Sequence, residues 1–193
     1  SRYFLDIINK LENFKFEIGI GIIKNIEDNE LFSRYMDLKI KSISSFNFDR
    51  CLSSVMFFKK SVLKKIGSFD VAFGVGSKFG SAEESDFILR AIRIGCKVMA
   101  FEKPIVYHPK FYLDSLSMKE IKKKAYTYGL GRGALIRKHI KIGFIWIFLN
   151  ITKSLLVPIF AVIYYILILK KKNFLWFYYS FLGRIKGLKS YNE

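Results

Sequence analysis

Apolar residues in the first half of the chain fall into short blocks, some with the spacing of a helix and some with that of a strand. In chain order they predict a helix at 3–13, strands at 17–23 and 53–60, helices at 61–67 and 84–95, and a strand at 96–102. Gly67 should end the second helix, and the segment from Pro104 to Pro109 should bound the exit of the last strand. A loop rich in Gly and Ser occupies 68–82. Helices that alternate with strands predict an α/β layer architecture.

From about Leu116 the apolar period becomes helical throughout. Residues 119–141 form a basic amphipathic stretch in which Gly129, Gly131 and Gly133 recur. No strand precedes these glycines, so the pattern favours close helix packing, or a bend at a membrane surface, over a nucleotide-binding loop. We interpret His139, at the end of this stretch, as part of the basic surface.

Two apolar runs follow, at 142–151 and 154–169, and Asn150, Thr152 and Lys153 interrupt them. A membrane span needs roughly 20 apolar residues, so neither run is long enough alone, whereas the two together are. One tilted span, a re-entrant hairpin and helices in the membrane interface all fit this pattern. The aromatic and basic residues of 173–189 are typical of a membrane interface. The alternative is a helical subdomain packed in water.

The charge of the chain is concentrated in this second half. The whole sequence carries 33 Lys and Arg against 16 Asp and Glu, but residues 121–193 hold 14 of the basic side chains and one of the acidic ones. Basic residues that flank apolar runs indicate contact with anionic membrane lipids. A nucleic-acid binder would instead interleave aromatic residues with Lys and Arg on a soluble surface, so we exclude nucleic acid as a partner.

Three acids lie within four residues at the start of the helix predicted at 84–95, namely Glu83, Glu84 and Asp86. Carboxylates are favourable there because they meet the free N–H groups and the positive end of the helix dipole. One acid is enough for a cap, however, and the cluster directly follows a glycine-rich loop, which is a usual position for binding residues. Clustered carboxylates also suit a general base. The cluster is therefore either a helix cap or a catalytic site.

Residues 53–110 resemble the acceptor-side half of a family 2 glycosyltransferase of the GT-A fold. The resemblance rests on an ordered set of motifs: Gly67-Ser68-Phe69-Asp70, then Glu83-Glu84-Ser85-Asp86, then Arg90, Gly95 and His108. The stretch YGLGRGALIRKH, the apolar runs and the final LGRIKGL resemble the tails of bacterial members that build cell-surface polysaccharides. The implied fold is a partial GT-A domain followed by basic amphipathic and membrane-associated helices.

The resemblance implies an inverting hexosyltransferase-type reaction and a role for each motif residue. Glu84 would be the catalytic base, where the family more often has Asp, and Glu83 and Asp86 would orient the acceptor or support the base. His108 would lie near the diphosphate and metal, or would fix the strand exit through a hydrogen bond. The acceptor-binding residues would be Gly74, Val75, Gly76 and Arg90.

The resemblance also implies a nucleotide-sugar donor and a divalent metal, Mn²⁺ or Mg²⁺, which the family binds through an Asp-x-Asp motif. The 193 residues contain no Asp-x-Asp, and the acids at 27–30 are interpreted as a solvated turn. The opening residues resemble the helix that follows this motif. We therefore expect the chain to begin just after it, as a fragment, one half of a split gene or a decayed copy.

Three parts are predicted: a C-terminal portion of a GT-A domain at 1–113, a basic connector helix at 114–141 and a membrane-associated tail at 142–193. The acceptor would be a saccharide or a lipid-linked saccharide, at the cytoplasmic face of a bacterial inner membrane. The alternative function is a non-catalytic, membrane-anchored remnant that binds a partner. Cys51 and Cys96 fit no metal or disulfide spacing and are predicted to be reduced, buried thiols.

Overall fold

The computed structural model describes residues 5, 9, 15–31, 42–48, 55–109 and 112–191. These residues form a four-stranded mixed sheet and five α-helices, which confirms a mixed α/β protein. Most of the helix predicted at 3–13 lies outside the described residues, as does Cys51, whereas Cys96 is a buried free thiol. The strands are β1 (Ile18–Asn25), β2 (Ser42–Ile43), β3 (Met56–Phe58) and β4 (Val98–His108). The helices are α1 (Lys60–Ile66), α2 (Glu83–Arg93), α3 (Met118–Lys138), α4 (Phe144–Leu167) and α5 (Lys171–Ser190).

The chain divides into two compact units. The sheet unit consists of Ser1–Phe69 and Glu84–Lys110, and the helical unit consists of Asp70–Glu83 and Phe111–Glu193. The sheet unit therefore contains all four strands with α1 and nearly all of α2. The helical unit contains the glycine-rich loop with α3, α4 and α5. The three-part division expected from the sequence stays a prediction.

In the sheet unit the strand order is β2-β4-β1-β3, with β1 parallel to β4 and the two outer strands antiparallel to their neighbours. The apolar run that predicts a strand at 17–23 is β1, whose residues Ile18, Ile20, Ile22 and Ile23 are all buried. A side chain on Gly19 would collide with the ring of Phe57, the residue that pairs with Gly19 on the neighbouring strand β3. The uninterrupted apolar sequence of β1 follows from its central position in the sheet.

The prediction that this strand ends at Glu102 is wrong, because β4 continues through Pro104 to His108. The ladder with β1 shifts register here: Ile20 pairs with Ala100, whereas Ile22 pairs with Ile105. The residues between Ala100 and Ile105 are thus absent from the regular ladder, and Pro104 lies in this irregular segment. A proline has no N–H to donate, so it is tolerated inside a sheet at such a bulge.

Both helices of the sheet unit agree with the sequence pattern to within two residues. Helix α1 ends where expected, at Gly67, whose φ of +75° is accessible to glycine and whose N–H donates to the carbonyl of Leu63. Helix α2 buries Phe87, Ile88 and Leu89 completely. It ends before Gly95, which also has a positive φ, of +82°.

In the helical unit, α3 and α5 lie so close that glycines replace side chains along their contact. Gly129 and Gly133 of α3 face the backbone of α5, and Gly183 and Gly187 of α5 face the backbone of α3. A Cβ atom on any of the four would collide with a backbone atom of the partner helix. The prediction of close helix packing is therefore confirmed, and Gly131 packs in the same way against Ser81 of the glycine-rich loop.

The two apolar runs form one continuous helix, α4, rather than a hairpin. Asn150 does not interrupt it, because its side-chain amide donates to the carbonyl of Trp146 one turn earlier. Residues Ile145–Leu167 are long and apolar enough to cross a membrane, with a mean hydropathy of 1.9 over a window of which 22% is buried. Most of the apolar surface of α4 is thus exposed.

The interpretation of His139 as a surface residue is wrong. His139 follows the last residue of α3 and is fully buried. Its ring meets that of Trp146 edge to face, with the two ring centroids 6.5 Å apart. The side chain therefore belongs to the core of the helical unit, where it helps to fix the turn between α3 and α4.

Candidate functional site

The glycine-rich loop, residues 70–82, has an ordered internal structure organised by Ser77. The Ser77 hydroxyl lies 2.7 Å from the carbonyl oxygen of Gly74 and accepts a hydrogen bond of 3.1 Å from the N–H of Gly80. The Asp70 carboxylate accepts a hydrogen bond of 2.8 Å from the N–H of Ala72. Gly74 and Gly80 have φ values of +101° and +67°, which residues with a side chain rarely adopt.

The loop is held against α3 and the end of α5 by charged and aromatic contacts. Lys138 of α3 places its Nζ atom 2.6 Å from a carboxylate oxygen of Asp70 and 5.2 Å from the centre of the Phe73 ring. The rings of Phe73 and Phe79 are buried and both contact Tyr191. The loop is consequently a preorganised surface.

Between this loop and α3 lies an open groove with a volume of about 720 Å³. Two of the three predicted acceptor-loop residues, Val75 and Gly76, line it, and Gly74 directly precedes them. The groove is lined by Val75, Gly76, Ser77, Gly80, Leu116, Glu120, Lys123, Lys124, Thr127 and Tyr128. Sequence reasoning missed the α3 contribution, although positions 120, 123, 124, 127 and 128 share one helix face by their spacing.

The α3 wall of the groove combines an aromatic ring with positive charge. Tyr128 meets Trp176 of α5 edge to face, with ring centroids 5.9 Å apart, and the Nζ atom of Lys124 lies 5.9 Å from the Tyr128 ring. Glu120 is held at the helix start, where hydrogen bonds from Ser117 lower its pKa and keep it ionised near neutral pH. Such a wall can receive a ring-shaped polar ligand, including one that carries negative charge.

Glu83, the first acid of the cluster, lies next to Gly74 in the helical unit. A Cβ atom on Gly74 would come 3.4 Å from the carboxyl carbon of Glu83. Gly74 thus gives the half-buried Glu83 side chain room to lie against the glycine-rich loop. The structure brings these two predicted site residues together.

Asp86, which is fully buried, forms an ion pair with the partly exposed Arg90 in the sheet unit, with 2.8 Å between the Arg90 Nε and the Asp86 carboxylate. The two remaining Arg90 nitrogens donate to the carbonyl oxygens of Ile66, at 2.6 Å, and Ser68, at 2.9 Å. The guanidinium group therefore joins α2 to the turn after α1. These three bonds give both residues a positioning role in the sheet unit, and the acceptor contact expected of Arg90 stays a prediction.

Glu84 lies in the first turn of α2 and is half-buried. Within the sheet unit it is therefore more accessible than the completely buried Asp86, which belongs to the same acidic cluster. Of these two carboxylates, Glu84 is the better placed to meet a reactant.

His108 is the last residue of β4 and pairs in register with Asn25, the last residue of the parallel strand β1. Ligands of α/β proteins commonly bind at the carboxyl ends of parallel strands. The exposed His108 ring places Nδ1 2.7 Å from the carbonyl oxygen of Pro109, so Nδ1 carries the proton of that hydrogen bond. This contact fits the fixing of the strand exit, while the position at the sheet edge fits a ligand contact.

Within the described ranges, no group of three or more His, Cys, Asp or Glu side chains is arranged to hold a metal ion. Comparisons of the chain with protein-family models, with curated proteins and with solved structures found no match in any of the three. Any functional assignment therefore depends on the residues and geometry described above.

The ion pair predicts that Asp86 contributes to stability more than Glu84 does. Asp86→Asn would leave the Arg90 guanidinium poorly compensated in a partly buried site, so we expect a loss of about 1–3 kcal/mol of unfolding free energy. Glu84→Gln, two residues away on the same helix, leaves the Asp86–Arg90 pair intact and is the matched control, for which we expect a smaller loss. Thermal unfolding of the purified variants, followed by circular dichroism, measures both, and equal melting temperatures would contradict the positioning role.

Proposed function

We propose that the chain is the acceptor-side half of an inverting family 2 glycosyltransferase of the hexosyltransferase type, with a partial GT-A fold. Its reaction would belong to the synthesis of bacterial cell-surface polysaccharide. The observation that supports this most directly is the groove, because the loop that the family resemblance assigns to the acceptor forms one wall of it. The position of an accessible acid, Glu84, at the first turn of the following helix adds to the case.

In the proposed reaction the Glu84 carboxylate takes the proton from an acceptor hydroxyl. The hydroxyl oxygen then forms a bond to the anomeric carbon of the donor sugar, and the bond from that carbon to the nucleoside diphosphate breaks. Attack from the face opposite the leaving group inverts the anomeric configuration. Glu83, beside Gly74, would orient the acceptor, and the Asp86–Arg90 pair would fix the start of α2.

A divalent metal, Mn²⁺ or Mg²⁺, would neutralise the leaving diphosphate of such an enzyme. The described residues do not provide a ligand set for it, since His108 stands at the sheet edge without a cluster of acids around it. In our proposal the donor nucleotide and the metal are therefore bound by residues other than those that the structure describes.

The proposed location is the cytoplasmic face of a bacterial inner membrane. Support comes from α4, whose exposed apolar side chains include Val157, Phe160, Ile163 and Leu167. Basic residues flank this helix on both sides and suit anionic lipid headgroups. Truncation after residue 141 would be a poor test of this location, because it also removes α5 from its contact with α3.

The base assignment predicts that Glu84→Gln lowers sugar transfer by roughly 10²-fold or more, because the amide cannot accept the proton. The assay uses membranes that contain the full-length protein carrying this chain, nucleotide-sugar donors, and Mn²⁺ or Mg²⁺ present or absent. Glu102→Gln removes an exposed carboxylate from β4 and is the matched control.

Metal-dependent transfer that is lost in Glu84→Gln and kept in Glu102→Gln would support the proposal. Equal transfer by wild type and Glu84→Gln would reject Glu84 as the base. Absence of transfer from every donor, in a full-length protein that binds no nucleotide, would reject the enzyme and favour the membrane-anchored, non-catalytic alternative.

The groove predicts that Tyr128→Ala raises the KM for the acceptor about three- to tenfold, because the ring supplies contact area to a sugar. The rate at saturating acceptor should change less, since Tyr128 does not take part in proton transfer. Tyr128→Phe keeps the ring and should keep the KM. Initial rates against acceptor concentration give both constants, and an unchanged KM in Tyr128→Ala would place the acceptor elsewhere.

The membrane location predicts that the double variant Val157→Asp/Phe160→Asp is released from carbonate-washed membranes. Each carboxylate near the middle of a span costs about 3 kcal/mol relative to an apolar residue. Ile26→Asp/Ile94→Asp makes the same change at two exposed apolar positions of the sheet unit and should remain in the membrane fraction. Retention of the α4 variant would show that α4 is not inserted.

A further inference from the structure

Two arginines of the helical unit donate hydrogen bonds to the first half of α4. Arg132 of α3 donates through Nη2 to the side-chain oxygen of Asn150, at 2.8 Å. Arg184 of α5 donates through Nη1 to the backbone carbonyl of Ser154, at 2.9 Å. Asn150 and Ser154 are buried, whereas each arginine keeps part of its surface exposed. The pair, here named the arginine pair, is therefore reachable from outside while lying mostly between helices.

The surroundings of Arg184 compensate its charge poorly. Its burial, and then the positive charge of Arg132, lower the pKa of Arg184 to about 10, so the group remains charged at neutral pH. Among the described residues no carboxylate counters this effect on Arg184. Its Nε atom is buried and has no hydrogen-bond partner in the part of the chain that the structure describes.

Two like charges that are withdrawn from water destabilise a protein unless an anion or a set of acceptors offsets them. One carbonyl oxygen for Arg184 leaves that requirement largely unmet. Guanidinium groups bind phosphate oxygens particularly well, because their forked N–H donors match the geometry of the anion. The arginine pair thus has the composition of a phosphate site.

The position of the pair indicates where that phosphate comes from. Asn150 and Ser154 lie in the first half of Ile145–Leu167, the helix that is long and apolar enough to cross a membrane. At a rise of about 1.5 Å per residue, they lie roughly 7–14 Å from the start of that segment. Arginine side chains at this depth are accommodated by snorkelling and by local thinning of the bilayer, which bring lipid phosphates toward them, whereas a free phosphate ion would have to leave water.

We propose that Arg132 and Arg184 bind the phosphate group of a lipid between helices α3, α4 and α5. Arg184 supplies the donor that the protein itself leaves unused, and Arg132 supplies the second positive charge. This site rests on the proposed membrane location of α4 but not on the proposed sugar transfer, so a lipid-binding measurement tests it separately from the enzyme assay.

The test is thermal unfolding of the full chain in non-ionic detergent micelles with increasing amounts of phosphatidylglycerol. Diacylglycerol, which has the same tails without phosphate, and inorganic phosphate are the comparison ligands. We expect phosphatidylglycerol to raise the melting temperature and both comparison ligands to have little effect. Arg184→Met should weaken the apparent affinity for phosphatidylglycerol roughly tenfold or more.

Lys186→Met removes the same charge from an exposed position two residues along α5 and should keep the wild-type affinity. In micelles without phospholipid, the stability of Arg184→Met should differ little from that of wild type. The variant loses the hydrogen bond to the Ser154 carbonyl, which Pro158 cannot supply, but it also loses a poorly compensated buried charge. A loss of phosphatidylglycerol affinity in Arg184→Met without a loss of stability in plain micelles would distinguish lipid binding by Arg184 from a purely structural role. Arg132→Met provides a second variant with the same expected loss of affinity.

Three results would overturn the proposal. The first is an unchanged melting temperature with phosphatidylglycerol. The second is an equal loss of affinity in Arg184→Met and Lys186→Met, which would show diffuse attraction to a basic surface. The third is a full stabilising effect of inorganic phosphate alone, which would show a site for the free anion.

Discussion

The helical unit depends on the close approach of α3 and α5, which is possible because four glycines leave backbone against backbone. This contact determines the position of every other feature of the unit. It brings Trp176 to Tyr128 at the groove and Arg184 to Arg132 at the arginine pair. It also brings the end of α5 to the glycine-rich loop, where Tyr191 covers Phe73. A helix pair held farther apart by side chains would lose these contacts together.

The acids at the start of α2 show how one short cluster can serve separate purposes. Asp86 is buried and bound to Arg90, so its charge is used in fixing the turn after α1. Glu83 lies beside Gly74 at the glycine-rich loop, and Glu84 remains partly accessible. A helix cap alone would not need this division, because one acid satisfies it. In the proposed function Glu84 would be the carboxylate that reacts, whereas Asp86 positions the helix.

Local sequence predicted the features that depend on local physics. The apolar run of β1 and the stop of α1 at Gly67 follow from burial and from backbone freedom, and both were found where expected. The continuation of β4 beyond Pro104 depends on its pairing with β1, which is distant in the sequence. The burial of His139 likewise depends on a contact with Trp146 of the next helix. The groove could not be predicted from local sequence either, because its two walls come from segments about 40 residues apart along the chain.

Tyr128 of the groove and Arg132 of the arginine pair are four residues apart on α3, which places them about one helical turn, or roughly 6 Å, from each other along the axis. In a lipid-linked saccharide the first sugar is joined directly to the phosphate. The distance from that sugar ring to the phosphate is therefore similar to the distance between Tyr128 and Arg132 along the helix. In the proposed function, a lipid-linked saccharide would occupy the groove and the arginine pair together. A free saccharide would occupy the groove alone, and the arginine pair would then bind the phosphate of an ordinary membrane lipid.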